Sequence, residues 1–295
     1  MFNTLLTRIH IYAQAPHGDT HAQLDALFGT SKVRLLQGLD AVAPWPALGS
    51  ARADVFVAGD CADGFAPHLR ALRDRLAAHA SGTVVGGNEF AMDAPAQSTY
   101  LRLPVPVHYT HAVVDTRVRY GHADFAALQV LAVVLQHDYL HREVREKGGA
   151  YGASAGMSVE GLFALQSLWD PSLAATLEAF ARGLEWACSA RMEQRAIDEA
   201  LLSIFSDLDA PTSPSSKGVG QWLHGLTEPM RAQHRAALLA VDADALARVA
   251  GKYLAVAAHP GAFAQARDGA VSVCVVGSKG AAADGLGAHW AERVM

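Results

Sequence analysis

The sequence predicts an α+β fold in which helices pack on a mixed, largely antiparallel sheet, preceded by the tail of a second, similar domain. Three observations carry this. From about residue 100 onward the chain reads as a strand, a long apolar helix, a hairpin, a helix cluster and a closing strand, an order that suits helices laid on one sheet. A short strand-and-glycine unit occurs twice, as Asp54-Val55-Phe56-Val57-Ala58-Gly59 and as Val271-Ser272-Val273-Cys274-Val275-Val276-Gly277, and an Ala-Asp-Gly triplet follows each copy. The copies lie roughly one domain length apart, so each is expected to close an equivalent domain. Finally, 51% of the 295 residues are hydrophobic, ample for a sizeable core.

On this reading residues 1–95 are the closing portion of a preceding domain and residues 96–295 a complete one. The chain then looks like a piece of something longer. The Gly- and Pro-rich crossing between the two includes Ser81-Gly82, Gly86-Gly87, Pro95, Pro104 and Pro106, and the domain boundary is placed there. Tyr109 to Tyr120 alternates as a strand does. Asp124 then opens a helix whose apolar residues Phe125, Leu128, Leu131, Leu135 and Tyr139 recur at near-helical spacing. It is apolar almost all round through Val134, so most of its circumference must be buried. Gly148 and Gly149 end it, with Arg142, Arg145 and Lys147 in the last turn, where the helix dipole favours cations. Small residues fill Tyr151 to Ser158, and after a turn at Glu160-Gly161 the run Leu162 to Leu168 reads as an antiparallel partner strand. Helices are predicted at 172–189 and 193–208, around Trp222, and at 228–240 and 244–254. A loop occupies 209–216, and the strand from Val271 closes the domain.

Bulk chemistry excludes several roles. Net charge is -5 and only 18% of residues are charged, so no basic field draws a phosphate backbone and nucleic acid is not a partner. No apolar run approaches the ~18 to 20 residues that a membrane helix needs. Met1 to Ala15 is read as mature protein, because its apolar run is short and broken by Asn3, Thr4 and Thr7. Cys61, Cys188 and Cys274 are sparse and odd in number, which fits buried structural thiols in a reducing compartment, the cytoplasm, or the mitochondrial matrix in a eukaryote.

The segment Glu143 to Gly152, E-V-R-E-K-G-G-A-Y-G, is the candidate site. It sets the Arg145 guanidinium at a helix end and the Tyr151 phenol just past a double-glycine break. Both are hydrogen-bond donors and neither is a good nucleophile. A planar fork of donors beside a phenol suits the grip of a peptide carbonyl on which negative charge develops. Arg145 and Tyr151 are therefore the candidate catalytic and substrate-binding residues. From spacing alone, each also fits a structural role, Arg145 as a helix-end cation and Tyr151 as an edge-strand aromatic.

Five ordered segments carry a wider resemblance: H-R-E-V-R-E-K-G-G-A-Y-G-A (His141 to Ala153), S-L-W-D-P (Ser167 to Pro171), I-D-E-A-L-L-S-I-F-S (Ile197 to Ser206), D-A-P-T-S-P-S-S-K-G (Asp209 to Gly218) and H-G-L-T (His224 to Thr227). Together they resemble the C-terminal part of the pitrilysin-type zinc metallopeptidases, in the presequence-protease branch. The resemblance implies two bowl-like halves that close around an unfolded peptide. The zinc is bound on the other half by an H-x-x-E-H motif, and this half lends an Arg and a Tyr that match Arg145 and Tyr151. No H-x-x-E-H occurs here, so no metal ligand is assigned to this chain, which is expected to be inactive alone. His137 and His141, spaced i, i+4, lack a motif Glu, and Arg145 one turn on discourages a second cation. The implied partners are a peptide substrate and the N-terminal zinc-bearing half. The alternatives are a non-catalytic peptide-binding subunit that pairs with a separate zinc-bearing chain, and a stable remnant without activity.

Overall fold

The computed structural model describes residues 8–12, 54–58, 67, 70, 71, 74, 98–189, 191–213, 216–265, 271–281, 283–287 and 290–294. The chain divides into two units, residues 1–92 with 211–226, and residues 93–210 with 227–295. Residues 211–226, read from sequence within the second domain, thus group with the first unit.

In the first unit, β1 (Arg8–Tyr12) and β2 (Asp54–Ala58) pair in parallel, with Arg8 opposite Asp54 and Tyr12 opposite Ala58. A short helix, α1 (Val219–His224), lies between left-handed glycines Gly218 and Gly225. Cys61, His17, His21 and the crossing at 81–95 fall outside the described residues.

The second unit is built on a six-stranded sheet. In chain order its strands are β3 (Thr99–Arg102), β4 (His108–Asp115), β5 (Gly152–Met157), β6 (Leu162–Asp170), β7 (Val271–Gly277) and β8 (Ala291–Val294), arranged β5-β6-β4-β7-β3-β8. The β5-β6, β6-β4 and β4-β7 pairs are antiparallel and the pairs made by β3 are parallel, so the sheet is mixed and largely antiparallel. Alternation sets one face inward, with Ala112 and Val114 of β4, Phe163 and Leu165 of β6, and Val271, Val273 and Val275 of β7 all buried.

Helix α2 (Phe125–Leu135) fills the centre, burying Leu128, Leu131 and Leu135 completely. Each such leucine contributes about 1.5–3 kcal/mol relative to exposure. Around it lie α3 (Leu173–Ser189), α4 (Gln194–Leu208), α5 (Glu228–Leu239), α6 (Ala243–Val249) and α7 (Ala262–Gln265). Thr227 caps α5 through the Met230 amide, and Asp242 caps α6 through the Ala245 amide. No described helix is long and apolar enough to cross a membrane.

The structure departs from the sequence reading in definite places. The helix opened by Asp124 is α-helical only to Leu135 and continues as a π-helix over Gln136–Lys147. A second π segment, Ala250–Leu254, ends the helix predicted at 244–254. The strand predicted to reach Tyr120 stops at Asp115, where Thr116 turns away with its hydroxyl donating to the Gly161 carbonyl (2.6 Å). Strands β3 and β8 had no sequence forecast.

Candidate functional site

Arg145 lies in the last turn of the π-helix, which presses Leu140 and Val144 into the core and leaves Arg145 in solvent. Its Nη1 donates to Nε2 of His141 (3.1 Å), one turn back on the same side. Glu143, two residues before it, is already engaged. Glu143 accepts from Lys147 Nζ (2.8 Å) and from Arg142 Nε (2.9 Å), and the Lys147 bond foremost holds its carboxyl below the usual range. Among the described residues Arg145 forms no ion pair, so its remaining N–H groups are uncommitted.

The break after the helix needs both glycines for different reasons. A Cβ on Gly148 would sit 2.6 Å from the Val144 carbonyl oxygen, whereas Gly149 has φ +79, which penalises any side chain. Their amides bond back to Glu143 and Arg145, and the Ala150 amide to Val144, so these three carbonyls near the helix end are satisfied. The chain reverses sharply and delivers Tyr151 at the mouth of β5.

Tyr151 is 65% exposed. Its amide donates to the Leu168 carbonyl (3.1 Å), its ring lies against the Trp169 indole with centroids 4.9 Å apart at 44°, and its hydroxyl forms no hydrogen bond among the described residues. Along β5 the residues Gly-Ala-Ser-Ala-Gly-Met are all half-buried, and the outward Ala155 amide donates to Oε1 of Gln136 (3.2 Å), which ties this edge strand to the π-helix.

Sequence reasoning quoted Trp169 within a motif but gave it no role. It lies in a β-bulge: His108 pairs with Asp170 and Thr110 with Ser167, so Leu168 and Trp169 together face Tyr109. Trp169 has φ +48, left-handed backbone that costs a bulky residue about 1–2 kcal/mol. The buried Asp170 holds it there. Asp170 accepts from the Ser167 hydroxyl (2.8 Å) and the Ser172 amide (2.7 Å), and its carbonyl oxygen lies 3.1 Å from His108 Nδ1. His108 Nε2 is 2.9 Å from Asp284, which also accepts from the Tyr100 hydroxyl (2.6 Å). Burial first, then the bond to Asp284 and its charge, push the Tyr100 phenol up to about 12.

The other candidates are quiet. His137 contacts Gln136, His141 faces Arg145, and among the described residues no group of three or more His, Cys, Asp or Glu side chains is placed to hold a metal ion. Cys188 and Cys274 are free thiols, half-buried rather than fully buried, and burial raises both thiol pKa values away from the reactive range.

The α+β domain, with an exposed Arg145 and an exposed Tyr151 on either side of one sharp reversal, fits the peptidase class of the sequence resemblance. Residues 104–263 match the family described as the PreP C-terminal domain, and the chain belongs to that family. It is 43% identical over 188 residues to the mitochondrial presequence protease of Danio rerio, covering 63% of this chain and 18% of that protein. To the mitochondrial presequence protease of Mus musculus it is 41% identical over 184 residues, covering 61% and 18%. The chain thus spans less than a fifth of the length of these relatives. A solved protease from Helicobacter pylori aligns at TM-score 0.49 and 15% identity, over 75% of this chain and 54% of that one.

Proposed function

We propose that this chain is the C-terminal part of a zinc metalloendopeptidase that degrades short unstructured peptides, and that it supplies the substrate grip and oxyanion stabilisation. Arg145 holds a backbone carbonyl of the substrate, and the Tyr151 hydroxyl donates to the scissile carbonyl oxygen as charge develops on it. The observation that carries this reading is that both side chains are exposed and have donors left over, while Glu143 is engaged by Arg142 and Lys147. The Tyr151 hydroxyl and the Arg145 N–H groups not bonded to His141 can meet a carbonyl without an internal bond breaking first.

Zinc belongs, in this proposal, to an N-terminal half that encloses the peptide against this one. H-x-x-E-H is absent from the sequence, and among the described residues the i, i+4 pair His137 and His141 has a guanidinium bonded to its second member. In the proposed division residues 1–95 close a preceding domain and 96–295 form a second one, with 211–226 grouping by contact with the first unit. It is supported by the two echoing segments, each a strand that pairs in parallel with an earlier one, β2 with β1 and β7 with β3.

The test is reconstitution with a zinc-bearing N-terminal half and a fluorogenic unstructured peptide. Tyr151→Phe is expected to lower kcat by about 10²-fold or more, as removal of an oxyanion donor does. Arg145→Ala is expected to lower kcat/KM, and Arg145→Lys to recover only part of the loss, because an ammonium cannot reproduce the bidentate fork. Wild-type rates in both Tyr151→Phe and Arg145→Ala would dismiss the reading.

A further inference from the structure

We propose that Trp169 is a specificity-determining residue: its indole and the Tyr151 ring form a platform that receives an aromatic or large aliphatic side chain of the bound peptide. This rests on the site reading above and adds a side-chain preference to it.

The backbone argues first. Along β6 the residues Phe163, Leu165 and Ser167 face inward, and continued alternation would turn residue 169 inward too. The bulge hands that inward place to Asp170, which is fully buried, and turns Trp169 out until it is 55% exposed. Left-handed backbone suits Gly or Asn, and an indole left in water returns little to folding. A residue both strained and exposed contributes through what it touches outside the fold.

Continuity with the site argues next. The Tyr151 ring rests on the indole, and the Tyr151 amide is bonded to the Leu168 carbonyl, so platform and phenol are held as one unit. Leu168, 46% exposed, extends the apolar surface. A peptide whose carbonyl meets the Tyr151 hydroxyl brings a neighbouring side chain within reach of these rings. An apolar occupant gains burial against the two rings, while Arg145 on the adjoining helix end disfavours a cationic one.

The experiment uses the reconstituted enzyme and peptides carrying Phe, Leu, Ala or Lys at each residue flanking the cleaved bond. The wild type is expected to prefer Phe over Ala in kcat/KM at one flanking position by about tenfold or more. Trp169→Gly should abolish that preference and Trp169→Phe should retain most of it. Trp169→Gly also relieves the left-handed strain, so its thermal midpoint should hold or rise, which separates lost preference from misfolding. Absence of any preference in the wild type, or its persistence in Trp169→Gly, overturns the proposal. Loss of self-association in Trp169→Gly, measured by sedimentation with the preference intact, also overturns it and assigns the platform to a second copy. Tyr151→Phe run alongside separates the two readings. If its kcat falls while Trp169→Gly keeps the preference, only the platform fails. If both variants match the wild type, the site reading fails as well.

Discussion

Asp124 shows how one side chain can be read correctly by position and wrongly by partner. It stands at the start of α2 as the sequence predicts, yet its carboxylate makes no capping bond. It reaches instead to Arg248 (2.7 Å), Lys252 (3.2 Å) and the Tyr253 hydroxyl (2.6 Å), joining the start of α2 to the end of α6 and the π segment after it. Burial pushes this carboxyl up, but Tyr253, Arg248 and Lys252 together outweigh it and bring it from 3.8 down to about 2. A depressed carboxyl stabilises the fold above its unfolded value and loses that contribution as pH falls from 3.8 through about 2. The contribution is about 1–2 kcal/mol, reduced because Arg248 and Lys252 reach into solvent. Asp124→Asn should therefore cost this much in urea unfolding at neutral pH, and the gap from wild type should narrow as pH falls below 4. A gap that stays constant with pH would show that the carboxylate charge is not what stabilises. The placement of Arg145 and Tyr151 on either side of the Gly-Gly break was legible because residue type and that break are local facts. Trp169 was not, because its exposure depends on how β6 pairs with β4, a relation no window of sequence contains.

The helices over 173–189, 194–208 and 228–239 emerged within a residue or so of their forecast, because each has an apolar face at helical spacing and a buried set to match. Edge strands were harder. β5 has no apolar-polar contrast, only Gly, Ala, Ser and Met, while β3 and β8 are four residues each and gain their identity from pairing with one another and with β7. The π-helix was invisible because Leu140 and Val144, four apart, satisfy an α-helical pattern as well. The end of β7 gives the sharpest test of packing between elements. A Cβ on Gly277 would run into the Tyr100 hydroxyl and sit 2.6 Å from the His108 ring, and neither can retreat, since Tyr100 is fully buried and both are bonded to Asp284. Gly277→Ala should destabilise by about 1–3 kcal/mol in chemical unfolding, the cost of overpacking a fixed site. Gly156→Ala, with open space where its Cβ would stand, is the matched control and should be near neutral. Equal effects of the two would mean that β7 can shift to admit the methyl group.

At the scale of the whole molecule, the chemistry is divided. On the proposed reading the chain carries donors suited to a carbonyl, and among the described residues no group of three or more His, Cys, Asp or Glu side chains is placed to hold the metal that would activate water against it. Among the described residues the i, i+4 pair of His137 and His141 is where a zinc ion could gain a foothold, and its geometry works against binding. Nε2 of His141 accepts from Arg145, so a metal there must displace that bond and then sit beside a guanidinium, and no carboxylate completes the set among the described residues. The isolated chain, dialysed and analysed by atomic emission, is therefore expected to retain far less than one zinc per molecule and to leave unstructured peptides uncut even with zinc added. Adding a zinc-bearing N-terminal half should restore cleavage, and the restored activity should be sensitive to Tyr151→Phe. Stoichiometric zinc held by the chain alone, lost in His141→Ala, would relocate the metal to this half and reverse the division of labour. The two outcomes differ in where the metal elutes when the halves are separated, so a single metal analysis after chromatography decides between them.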